Sequence, residues 1–64
     1  MDEEMIKEFL STARDNFIKG QALYQTGHHN LAAVCFSLAA SRLAAVTSEI
    51  QMSLVEPELK AKFN

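Results

Sequence analysis

Thr26-Gly27-His28-His29-Asn30 interrupts an otherwise continuous run of helix-forming sequence, and its reading decides the fold. Glycine tolerates the left-handed conformation that closes many α-helices, so Gly27 marks the position just past the end of a first helix. Asparagine is a favoured N-cap, so Asn30 marks the start of a second. A connection this short leaves the two helices as antiparallel neighbours.

Upstream, the apolar residues Ile6, Phe9, Leu10, Ala13, Phe17 and Tyr24 recur at spacings of three and four. That period describes one face of a helix over residues 3–25. Asp2, Glu3 and Glu4 stand in its first turn, where carboxylates suit the positive end of the helix dipole. Thr12 with Asp15 has the look of a capping box, but the apolar stripe runs through it in phase, so the helix is read as unbroken. Gly20 inside it costs about 1 kcal/mol against alanine. It shares a face with Phe17 and Tyr24, so close approach of a neighbouring helix is the expected compensation.

Downstream, the second helix is expected over residues 31–52. Its first half is apolar almost all round, with Leu31, Val34, Leu38 and Ala45 on one side and Ala32, Phe36, Ala39, Leu43, Val46 and Ile50 on another. Between them runs a strip of small residues: Ala33, Ser37, Ala40, Ser41, Ala44 and Ser48. Small side chains at such spacings let helix backbones approach closely. Pro57 suits the first turn of a separate short helix over 57–63, whose Leu59 and Phe63 would fold back on the hairpin. No period-2 run of β-branched residues is present, so the expected class is all-α, one domain spanning 1–64.

Composition narrows the function. An apolar fraction of 48% is ample for a folded domain rather than a disordered one. A chain of 64 residues nevertheless buries only about 60% of its unfolded surface, and such domains lean on disulfides, a metal or a second subunit. The single cysteine, Cys35, cannot form an internal disulfide. Net charge is −2, and the basic residues Lys7, Arg14, Lys19, Arg42, Lys60 and Lys62 form no run, which disfavours a phosphate-tracking surface. No basic segment precedes an apolar one at the start, so no signal peptide is expected. The longest apolar-rich stretch, Leu31 to Val46, carries Ser37, Ser41 and Arg42 and falls short of the ~20 residues that span a bilayer. The expected location is cytoplasmic.

Chemistry-bearing residues are few. His28 and His29 are adjacent in a turn and point apart, whereas a zinc site wants three or four converging ligands. Cys35, two turns further on, reads as a packing residue rather than a nucleophile. No carboxylate pair, phosphate loop or Ser/His/Asp set exists, so neither an enzyme nor a metal or other cofactor is expected. Arg42 is the sole charge between Leu31 and Thr47, where it either snorkels at the edge of the apolar face or anchors a partner. Tyr24 similarly reads as a helix-end core aromatic or an exposed anchor.

Residues 22–39 resemble the central part of a tetratricopeptide repeat. Gly20, Gly27, Ala32, Phe36 and Ala39 stand at the spacing where that family places glycine, glycine, alanine, aromatic and alanine. Asn16 replaces the family's leading tryptophan and Ala44 its closing proline, and only one unit is present where about three are needed. The pattern also resembles the hairpins of HEPN-type domains. Nuclease members place a histidine four to six residues after an arginine; neither Arg14 nor Arg42 has one, so the resemblance implies no nuclease. Architecture alone is similar to that of small secretion co-chaperones and of plasmid-encoded RNA-binding bundles.

Together these readings lead to a non-catalytic protein-interaction hairpin, regulatory, adaptor or chaperone-like. Its expected interface residues are Tyr24, Ala33, Phe36, Ser37, Ala40, Ser41, Arg42 and Ala44. Two copies meeting along their second helices would make a four-helix bundle. The alternative is a dimeric helical bundle that binds RNA or DNA.

Overall fold

The computed structural model describes the backbone of residues 1–63 and the side chains of residues 1–54. It consists of two antiparallel helices packed against each other, α1 (Glu3–Gln25) and α2 (His29–Phe63). Asp2 stands one residue ahead of the first turn as the N-cap of α1, where its carboxylate accepts the Met5 amide hydrogen at 2.8 Å. Glu3 and Glu4 follow in the first turn, as the dipole favours.

The turn closes as a Schellman motif. The His28 N–H donates to the Leu23 carbonyl at 2.8 Å and the Gly27 N–H to that of Tyr24 at 3.1 Å. Gly27 takes φ +85°, the left-handed conformation expected of it. Asn30 is not the N-cap of α2. His28 fills that role, accepting the Ala32 N–H on its carbonyl at 2.9 Å, and the helix begins at His29. The physical reason is economy of chain: the Schellman bonds already fold His28 over the end of α1, so the next residue starts α2.

At its far end α2 runs without interruption to Phe63, so the separate helix expected over 57–63 is a continuation of the second. Ser53-Leu54-Val55-Glu56 contains no glycine or asparagine to stop a helix. Pro57 has no amide hydrogen to donate to the Ser53 carbonyl, a local cost that the helix bears. The expected return of Leu59 and Phe63 onto the hairpin lies outside the described side chains.

The core between the helices is made of small residues. Ala13, Gly20, Ala32, Cys35, Ala39 and Val46 are buried, and among the described residues no large side chain is fully buried. Ala13 and Gly20 are seven apart, as are Ala32, Ala39 and Val46, the repeat that keeps one seam of each helix facing the other. Such small residues allow an axis separation toward the close end of the usual ~8–10 Å range. Nowhere is this clearer than at Gly20, where an added Cβ would lie 2.5 Å from Cε1 of Phe36. The approach expected from the glycine is present.

Candidate functional site

Close packing of the small seam forces the large apolar side chains outward. The stripe on α1 that reads as one face divides in two: Ala13 is buried and Ile6 and Phe9 are half-buried, while Leu10, Phe17 and Tyr24 are exposed. On α2, Ala32, Ala39 and Val46 turn inward, Phe36 is half-buried, and Leu43 and Ile50 are exposed.

These outer residues are not scattered. Leu10, Phe17 and Tyr24 are seven apart, and so are Phe36, Leu43 and Ile50. The two rows flank the seam on the same side. Phe17 and Phe36 meet with ring centroids 5.7 Å apart and a tilt of 49°, a favourable aromatic geometry. One level nearer the turn, Tyr24 stacks on His29 at 4.7 Å and 22°. That register sets Leu10 level with Leu43. The hairpin thus presents one face whose centre line is apolar from both helices. Near the turn it opens into a shallow hollow lined by Gln21, Tyr24, Gln25 and Phe36.

The opposite face differs. It is apolar on α2, through Leu31, Val34 and Leu38, but by helical period its α1 half carries, besides Met5, the polar or charged Glu8, Thr12, Asp15 and Lys19.

Among the interface residues expected from sequence, Tyr24 and Phe36 are brought together on the two-helix face. Ala33 and Ala40 border it on α2. Ser37 and Ala44 lie on the side of α2 away from α1, and Ser41 lies toward the opposite face; all are exposed. Arg42 is half-buried at the edge of the seam, its guanidinium donating to the Leu38 carbonyl at 3.4 Å. That is the snorkelling arrangement. Leu10, Phe17, Leu43 and Ile50, which the sequence places on apolar helix faces without singling them out as interface residues, are exposed on this same face.

The polar groups make local contacts. Lys7 lies 3.8 Å from Glu3 and 3.7 Å from Glu4, while Glu49 takes the Met1 ammonium at 3.1 Å. The Thr26 hydroxyl caps α1 within reach of the Ala22 and Leu23 carbonyls and lies 3.0 Å from His28 Nδ1. Cys35 is buried as a free thiol. Among the described residues no three potential metal ligands converge.

Residues His29–Leu54, 26 in all, form a stretch long and apolar enough to cross a membrane by length and composition. The expectation that this region is too short is corrected, because the helix continues past both ends of Leu31–Val46. Arg42 and Glu49 are the charges within it. In comparisons with known proteins, no family model, no curated protein and no solved structure matches the chain.

Proposed function

We propose that this chain is a small non-catalytic interaction module of an aqueous compartment, which acts by seating its outward apolar residues on another protein surface. One observation carries the reading. The interior holds alanine, glycine, cysteine and one valine, while Leu10, Phe17, Tyr24, Leu43 and Ile50 remain between 43 and 59% exposed. Soluble monomers rarely leave contiguous apolar patches of this kind uncovered. Large apolar and aromatic side chains are also those that dominate binding energy at interfaces.

A membrane-inserted α2 is the second reading, favoured by the length and composition of His29–Leu54. It has a physical cost. Helix α1 packs along that same stretch and carries Glu3, Glu4, Lys7, Glu8, Arg14, Asp15 and Lys19, so insertion either strips it away or drags charges into hydrocarbon. Nucleic-acid binding has less support, since Lys7 already lies beside two carboxylates.

Affinity capture from native lysate tests the interaction reading. The parent chain should retain a stoichiometric protein, either its own tagged copy or another, that Leu43→Glu does not retain. Equal capture by both chains would contradict the reading. So would flotation of the parent with neutral lipid vesicles.

A further inference from the structure

We infer that the two-helix face of Leu10, Phe17, Tyr24, Phe36, Leu43 and Ile50 binds the same face of a second copy of this chain, closing a four-helix bundle. The inference rests on the interaction reading above and deepens it by naming the occupant and the face.

Area is the first argument. The chain exposes 5196 Å². A compact monomer of its mass is expected to expose about 4,100 Å², so the excess is about 1,100 Å². That excess is shared between the length of α2 that runs on past the start of α1 and the exposed apolar side chains of the two-helix face, and a standard interface takes about 800 Å² from each partner.

Self-complementarity is the second. A two-fold axis requires one patch to fit itself, and two parallel ladders of apolar side chains, each repeating every seven residues, present the same pattern after a half-turn. The six residues include no charge; Glu3, seven before Leu10, is the charge that ends the α1 row, and it lies 3.8 Å from Lys7. At the rim, Lys7 and Arg14 border the face on α1, while Ala33, Ala40 and Thr47 border it on α2. Setting α1 over the partner's α2 lets the long Arg14 side chain lie across small ones and keeps the two Arg14 guanidinium groups apart. The opposite face fails this test, because its α1 half, Met5 apart, is polar and charged.

Light scattering on the full chain at micromolar concentration should give the mass of two chains. Leu43→Glu should weaken the dimer at least about a hundredfold, whereas Leu38→Glu, on the opposite face, should leave it intact. If Leu43→Glu fails to fold, isotope-filtered nuclear Overhauser spectra of mixed labelled and unlabelled parent chains decide the matter without mutation. Contacts between copies from the Phe17 ring to the Phe36 ring and from the Leu10 methyls to the Leu43 methyls are expected. Contacts from Leu31, Val34 or Leu38 instead, or a monomeric parent, would overturn the assignment. A monomeric parent that still captures a different protein through Leu43 would overturn the second copy alone and leave the interaction reading standing.

Discussion

The ring of Phe36 lies over Gly20 so closely that a Cβ there would stand 2.5 Å from Cε1 and 2.7 Å from Cδ1. This contact couples the seam to the outer face: the glycine that lets the helices approach also seats the aromatic ring that meets Phe17. Gly20→Ala gains about 1 kcal/mol of helix propensity but must displace the ring, an overpacking cost of roughly 1–3 kcal/mol. The net expectation is destabilisation by about 1 kcal/mol. In a Phe36→Ala background the obstruction is gone, and the same substitution should stabilise by about 1 kcal/mol. Thermal melts of the four chains of this cycle measure the change of sign.

Gly27 has a different reason to be glycine. A Cβ there would meet nothing within 4 Å, but the backbone sits at φ +85°. Gly27→Ala should therefore cost roughly 1–2 kcal/mol through conformation alone. Gly27→Asn should cost less, because asparagine enters this region more readily. Urea titration of the three chains gives the order.

Two adjacent alanines separate the inner seam from the outer surface. Ala39 is 4% exposed and faces α1, so Ala39→Leu should overpack the hairpin by roughly 1–3 kcal/mol. Ala40 is exposed at the border of the apolar face, so Ala40→Leu should cost the isolated hairpin almost nothing and instead weaken self-association. Circular dichroism with light scattering on both variants separates the two effects.

The turn, the antiparallel pair and the close approach at Gly20 are legible in the sequence because each rests on a residue with few alternatives. The division of apolar residues between inside and outside is not. A three-four stripe is wider than one neighbouring helix covers, and it places Leu10, Phe17 and Tyr24 with Ile6 on one face. Only the pairing of Ala13 and Gly20 with Ala32 and Ala39 excludes the larger side chains from the seam. Tyr24 and Phe36 were legible as interface candidates for their size and position. Leu10 and Leu43 were not, since nothing local distinguishes an outer leucine from a core one. The α2 start at His29 lies two residues before the one that Asn30 signals, because His28 caps through its backbone carbonyl, which any residue type supplies. Pro57 misled because the first turn of a helix is its usual place, whereas here it lies within one.

The central claim is that the hairpin alone is under-packed and that its outer apolar residues are covered by a second copy. Folding coupled to association makes stability depend on chain concentration. Circular dichroism melts across about a hundredfold range of concentration should raise Tm by roughly 5–10 °C. A cooperative, fully helical transition whose Tm does not move with concentration would contradict the account.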